Sequence, residues 1–284
     1  MFMDKYQAIW LSYSSIKDFL NCQRSYYYKN IYKNPKTGRK IAITKPSLSL
    51  GQAVHDVIEE ISKVAVDQRF DIPLMDRYKK SWQKVTGLYG GFRSKDQEND
   101  YFIRGELMIK LLTKHPGPLV KKTIKIKEKI PYYWFSSEDN MILCGKIDWL
   151  EFLEKTNSIH IIDFKTGKSD EREDSLQLPI YYLVAKNCQN RPITKVSYWY
   201  LDRESKPTKI LLLTEDQAEK AIKKVAERIK LARQLNHFKC AIDEKEGCRY
   251  CAPLKAVIEG KGKFVRLGDF GEEIYYLPDE AVSL

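Results

Sequence analysis

The sequence has no run of about eighteen apolar residues, the shortest that crosses a bilayer as a helix, and its opening stretch MFMDKYQAIWLSYSS carries no apolar segment of signal-peptide length. The expectation is a soluble, cytoplasmic protein without a membrane partner. Internal repeats and low-complexity tracts are missing too, which excludes repeat arrays and biased linkers. Cysteine is scarce. Six residues (Cys22, Cys144, Cys188, Cys240, Cys248, Cys251) cannot staple a chain of 284, so in a reducing compartment they are thiols or metal ligands. Acidic residues are outnumbered, 38 against 49 Lys and Arg, and the net charge of +11 suits a polyanionic partner, of which nucleic acid is the commonest. A hydrophobic content of 43% fills one good core, or a core with a helical appendage, and excludes a disordered chain.

What is present alternates between helix and strand signals. In LSYSSIKDFLNCQRSYYYKNIYK, serines suited to capping precede Ile16, Phe19 and Leu20 at helical spacing, which predicts two short helices meeting near Cys22. An amphipathic helix starting near Ser49 or Gly51 follows, with Leu50, Val54, Val57, Ile58, Ile61 and Ala65 on one stripe. Residues 67–119 read as a charged helical insertion, broken by YGGF and closed by HPGP. In TIKIKEKIPYYWF, Ile124 and Ile126 alternate with Lys125 and Lys127, predicting a half-buried strand with a basic outer face. MILCGKIDWLEF and SIHIIDFK predict two strands around the turn EKTN, and SLQLPIYYLVAKN a helix that tolerates Pro179 in its first turn. Strands near VSYWYLD and KILLLT, a helix capped by Thr214 with Gln217, and a hairpin in KFVRLGDFGEEIYYL complete the chain. The expected organisation is N-terminal helices and first core helix over 1–66, the insertion over 67–119, an α/β core over 120–236, and a cysteine-containing segment with the hairpin over 237–284.

In IIDFKTGK, Asp163 and Lys165 stand two apart on a strand and so share a face. A solvated ion pair worth at most about 1 kcal/mol is one reading. A hairpin turning at EKTN offers another, because it sets Asp148 and Asp163 at the same height on neighbouring strands, within about 5.5 Å at Cβ. Carboxylates that close repel unless a cation lies between them, and Mg2+ or Mn2+ prefers carboxylate oxygens. Lys165 then reaches past the ion to a phosphate oxygen or an attacking water, the set of charges that phosphodiester hydrolysis needs. Gln177 and Tyr181, four apart on one helical face, can orient substrate or brace Lys165, or be ordinary surface polars. His55 suits a structural or a ligating role. Glu59, one turn on, can support it or face solvent.

The ordered series GQAVH, GKIDWL, IIDFKTGK and QLPIYY, spread from about Leu11 to Cys251 with the insertion outside it, resembles the PD-(D/E)XK nuclease superfamily. The likeness is in particular to its RecB-type exonuclease branch, which includes the CRISPR-associated iron–sulfur nucleases. That resemblance implies an α/β, restriction-endonuclease-like fold: a central mixed sheet flanked by helices, with a helical insertion and a cysteine-stapled C-terminal segment. It implies that His55, Asp148, Asp163 and the backbone carbonyl of Phe164 hold the metal, that Lys165 assists the water, and that Gln177 and Tyr181 position the strand. It also implies four cysteines around a [4Fe-4S] cluster. Cys22 matches the first of these and Cys248 and Cys251 the next two, but Val257 stands at the fourth position. Cys240 can replace it, and four thiolates also suit zinc; the remaining alternative is a lost cluster with CRYC as a vestige. Cys144 and Cys188 are expected to be small buried apolar residues.

The resulting expectation is a divalent-metal DNA nuclease, an exonuclease or end-processing enzyme working on single-stranded ends in repair, recombination or CRISPR adaptation. A helicase or a CRISPR integration complex is the partner the resemblance suggests. Arg24, among the tyrosines of CQRSYYYKNIYK, and Lys125, Lys127 and Lys129 are the expected DNA contacts. Two alternatives stay open: a non-catalytic DNA-binding module, and a protein whose cysteines are the working centre. His115, His160 and His237 are expected to ligate nothing, His160 lying on the strand face opposite Asp163.

Overall fold

The computed structural model describes residues 4–278. The strands are β1 (Ile9–Leu11), β2 (Ile41–Ile43), β3 (Tyr132–Ser136), β4 (Met141–Cys144), β5 (Trp149–Leu153), β6 (Ser158–Lys165), β7 (Ile193–Tyr200), β8 (Thr208–Ile210), β9 (Lys263–Leu267) and β10 (Glu273–Tyr276). The helices are α1 (Tyr13–Asn21), α2 (Gln23–Tyr26), α3 (Pro46–Ser62), α4 (Leu74–Trp82), α5 (Lys95–Lys114), α6 (Gln177–Cys188), α7 (Glu215–Gln234) and α8 (Ala252–Ile258). The chain forms two compact units, one of residues 4–13, Leu50–Gln83 and Asn99–Lys223, the other of Ser14–Ser49, Lys84–Glu98 and 224–278. No described helix is long and apolar enough to cross a membrane.

The architecture is mixed α/β, with its parallel and antiparallel pairings distributed over three sheets. In the first unit these are β1-β4-β3 and β5-β6-β7-β8, both of which pack on α6. In the second unit β10 pairs in parallel with β2 and antiparallel with β9, which forms the expected hairpin. Seven of the eight residues of β6 are buried, the covered-on-both-faces pattern of a strand paired in parallel with β7. β5 and β6 form the expected hairpin: Leu153 faces Ser158, Trp149 faces Ile162, and Asn157 supplies the left-handed turn residue at φ 45°. Carried one step further, that register sets Asp148 opposite Asp163.

The stretch MILCGKIDWLEF is two strands in two sheets, not one. It breaks at Gly145, where an added Cβ would stand 3.0 Å from the Tyr181 ring, so the small residue lets α6 approach. Of the strand expected in TIKIKEKIPYYWF, the part from Tyr132 forms, as β3, and the alternating lysine stretch before it does not. Thr123 bridges to Glu151 and the Ile124 amide reaches the Leu150 carbonyl at 2.9 Å, after which the chain leaves the sheet until Tyr132. Three exposed lysines and Glu128 hold this segment in water, and Pro131 lacks the amide that a ladder needs.

α3 begins earlier than expected, at Pro46, which suits the first helical turn, and ends at Ser62, leaving Ala65 exposed. Its stripe of Leu50, Val54, Val57, Ile58 and Ile61 is buried. The capping box of α7 forms: the Thr214 amide donates to Gln217 at 3.0 Å and the Gln217 amide to the Thr214 hydroxyl at 3.3 Å. Arg69 is buried over the Trp149 ring, 4.9 Å from its centroid, and donates to the Leu119 and Lys121 carbonyls, tying the helical segment to the core of the first unit.

Candidate active site

Period-two alternation puts Asp163 and Lys165 on one face of β6, and the Lys165 ammonium lies 3.0 Å from Asp163 Oδ2. Gln177, at the start of α6, joins three of the expected residues through one amide. Its oxygen accepts from Lys165, and its nitrogen donates to Asp163 Oδ1 at 2.7 Å and to the Tyr181 hydroxyl at 3.2 Å. Both donor positions and the acceptor are used, which fixes the orientation of the amide. On the neighbouring strand end, Asp148 accepts from the Phe164 amide at 3.1 Å and meets His55 Nδ1, carried by α3, at 3.1 Å. All six residues lie in the first unit.

Their electrostatics are those of a crowded acid pair. Burial, and then the charge of Asp148, raises the Asp163 carboxyl to about 7. Burial works against the His55 imidazolium, but the Asp148 charge and hydrogen bond outweigh it and raise the ring to about 9, while 33% of the side chain still reaches solvent. Lys165 is held cationic against its own burial by Asp163 and Glu171, so at neutral pH it offers charge and not a base. Burial and the two aspartates raise Tyr181 well above the ordinary phenol range.

The residues present fit a hard divalent ion. Asp163 Oδ2 is buried beside the ammonium yet accepts no hydrogen bond of good geometry, leaving a carboxylate oxygen available. Two aspartates and one histidine are donors of the type Mg2+ or Mn2+ takes.

Three residues that sequence reasoning missed complete the surroundings of Lys165. Glu171 Oε2 lies 3.1 Å from the ammonium, and Glu171 in turn accepts from the Tyr13 hydroxyl. The Tyr198 ring centroid is 4.8 Å from Lys165 Nζ and that of Tyr13 is 5.9 Å. Glu171 sits in the acidic loop SDEREDS, which resembles any solvated turn, and no local signal marks it.

His55 and Asp148 border a cavity of about 530 Å3 whose wall includes Lys63, Lys125, Lys127, Lys129 and Lys146. The lysines expected on a strand face therefore line this opening from an irregular segment. Glu59 does not support His55: it pairs with Lys63 and Lys146, and their ammoniums pull it down to about 2 against the effect of its burial. In the second unit, Arg24 donates to the Glu244 carbonyl at 2.6 Å, and Tyr27, Tyr28 and Tyr32 pack on one another, with Phe238 against Tyr27. Arg24 and these three tyrosines are half-buried. His160 lies on the other face of β6, buried between Glu151 at 2.7 Å and Ser197 at 2.8 Å.

The four cysteines also come together. Cys22 precedes α2, Cys240 follows α7, and Cys248 and Cys251 lead into α8; all are buried, and their Sγ atoms lie within 4.8 Å of one another. They are the group of three or more metal-type ligands that gathers this tightly among the described residues. Val257 packs with Ile41 and Leu254 in an apolar cluster. Cys144 is buried as expected, whereas Cys188 is half-buried, its thiol near the Tyr132 carbonyl at 3.5 Å.

The mixed α/β fold brings an aspartate pair, a lysine and a helix-borne glutamine together, with His55 and Asp148 bordering a basic cavity, a set of groups suited to metal-dependent phosphodiester chemistry. The profile of the PD-(D/E)XK nuclease superfamily matches residues 10–255, and the chain belongs to that superfamily. No curated protein matches it.

Proposed function

We propose that the protein is a divalent-metal phosphodiesterase that degrades or trims DNA from its ends, a member of the RecB-type branch. The observation that carries this reading is the single Gln177 amide that holds Asp163, Lys165 and Tyr181 together. In this reading His55, Asp148, Asp163 and the Phe164 carbonyl would hold the ion, which would supply a water of lowered pKa and offset charge on the phosphorus oxygens. Lys165, kept protonated by two carboxylates, stabilises the negative charge that grows on the phosphoryl oxygens as the water adds and the ester oxygen leaves. Gln177 and Tyr181 fix where that charge sits. The exposed lysines 125, 127 and 129 attract the phosphate backbone toward His55 and Asp148. Action on single-stranded ends, in repair, recombination or CRISPR adaptation beside a helicase or an integration complex, extends the same reading, and its support is the RecB-type motif series.

The test uses end-labelled linear single strands, linear duplex and closed circular single strands, each with Mg2+, Mn2+ or EDTA. Metal-dependent loss of linear DNA, abolished in Asp163→Ala and Lys165→Ala, is the expected result, with circles surviving. Tight binding without cleavage under every condition overturns catalysis and leaves a DNA-holding module. Rapid cutting of circles overturns the end-directed part alone.

A further inference from the structure

We propose that the four-thiol site of the second unit binds a single zinc ion, tetrahedrally through Cys22, Cys240, Cys248 and Cys251, and that it is not built for a [4Fe-4S] cluster. The inference goes beyond the phosphodiesterase reading and does not depend on it.

Spacing is the first argument. One zinc with bonds of about 2.3 Å sets its four sulfurs roughly 3.8 Å apart, the edge of a tetrahedron of that radius. Cys248 Sγ and Cys251 Sγ are 3.9 Å apart, and all four sulfurs fall within 4.8 Å of one another. A four-iron cube binds each thiolate at a separate corner, which pushes every sulfur outward by the distance from cube centre to corner. The residues present do not fit that wider cage. Tyr28 and Tyr250 pack directly against the four cysteines, and the sulfurs are too close to admit eight cluster atoms between them.

The backbone supplies the second argument. A zinc ion with four thiolates carries excess negative charge, which amide donors to sulfur offset. The amides of Ile242 and Asp243 donate to the Cys240 sulfur. The Cys248 amide donates to Cys251 Sγ at 3.3 Å, and the Ser25 amide donates to the Cys22 sulfur. Gly247 makes the turn into the pair possible: at φ 93° it occupies the left-handed region, and an added Cβ would come 2.8 Å from Cys251 Sγ.

Connectivity is the third. The fourth corner of the family's cluster falls on Val257, which belongs to the apolar contact with Ile41 and Leu254, while Cys240 enters from the other side of the CRYC pair. Four buried thiolates with no open position describe a closed structural site, and soft sulfur ligands select zinc over the hard ions suited to Asp148 and Asp163.

The test is metal and sulfide analysis of full-length protein, produced with both iron and zinc supplied, purified anaerobically without a metal-binding tag, and dialysed against EDTA. About one zinc per chain, no acid-labile sulfide and a colourless solution are expected. Replacement by Co2+ should give the strong visible bands of a tetrahedral thiolate site. Cys240→Ser should lose zinc to a chelator at least tenfold faster than wild type, with Cys188→Ser unchanged. Where Cys240→Ser fails to fold, Cys240→His keeps a zinc ligand and should shift the cobalt bands. Iron with sulfide, absence of metal, or a cobalt spectrum indifferent to position 240 each overturns the proposal.

Discussion

Two sites with metal-type ligands, one in each unit, are built on opposite plans. Around Asp148 and Asp163 the groups differ in kind, acid, imidazole, ammonium and amide, and they hold one another by hydrogen bonds while a third of His55 stays exposed to a basic cavity. Around Cys251 the groups are identical, their partners are backbone amides, and no sulfur reaches solvent appreciably. A site that must admit a phosphate and a water needs an open position and charges that rearrange; a site that only joins distant segments is better closed. The difference teaches that function at the first site should be far more sensitive than stability, with the reverse at the second.

The largest expected effect tests the first half. Lys165→Met keeps most of the side-chain volume and removes the cation next to Asp163, so cleavage under single turnover should fall by roughly 10^2 to 10^3, the loss typical of one transition-state charge partner. The melting temperature should fall as well, since methionine leaves Asp163 and Glu171 without their cation, with the Asp163 bond to Gln177 limiting the loss. A variant that unfolds at the same temperature and cuts at the wild-type rate breaks the comparison outright.

Cys251→Ser tests the other half. Hydrogen exchange should quicken throughout α8, β9 and β10 of the second unit, while the β5–β6 hairpin keeps its protection, because a closed thiolate site contributes its binding free energy to folding, several kcal/mol at least. Unchanged exchange in α8 would show that the thiols are only packing. Between these extremes stands Glu171→Gln, which keeps the shape but removes one of the two carboxylates beside Lys165. A tenfold fall in kcat with KM unchanged is expected, since the glutamate positions the ammonium and touches no substrate.

Parts of both sites were legible in the residues. The register of β5 on β6 follows from a two-residue period and a turn at EKTN, and the shared face of Asp163 and Lys165 follows from the same period. The pairing of Gln177 with Tyr181 needed only helical spacing. What failed were readings in which local pattern met tertiary context. The alternation of Ile124 to Lys127 is a strand pattern, yet it continues into charge and Pro131, and the sheet ends beneath it. The division of MILCGKIDWLEF depends on the approach of Tyr181 to Gly145, a contact between segments far apart in the chain. Glu171 reaches Lys165 from a loop that carries no periodic signal, and Tyr13 from the first residue of α1, where helical spacing marks the element but not this role. Cys240 stood as one of several alternatives because its spacing departs from the family pattern, and only three-dimensional proximity separates it from Cys144 and Cys188.

The smallest effect sharpens the comparison within the first unit, on the two faces of one strand. Asp163 looks toward the site, whereas His160, three residues earlier, is buried on the opposite face between Glu151 and Ser197. Burial lowers the His160 pKa below its ordinary 6.5 despite the nearby Glu151 carboxylate, so the folded protein prefers the neutral ring. The sign follows from linkage: above pH 6.5 the ring is neutral in both states and its contribution is fully present, and as the pH falls below 6.5 the unfolded chain binds the proton first and stability declines. Asp163 and His55, raised in the folded state, contribute a slope of the opposite sign in both proteins, so the readout is the difference: the melting temperature of His160→Asn relative to wild type should rise by a few degrees as the pH falls from 7.5 to 5. If the difference between variant and wild type does not change with pH, His160 takes no part in the acid response, and the neat division of β6 into a charged face and a neutral one fails.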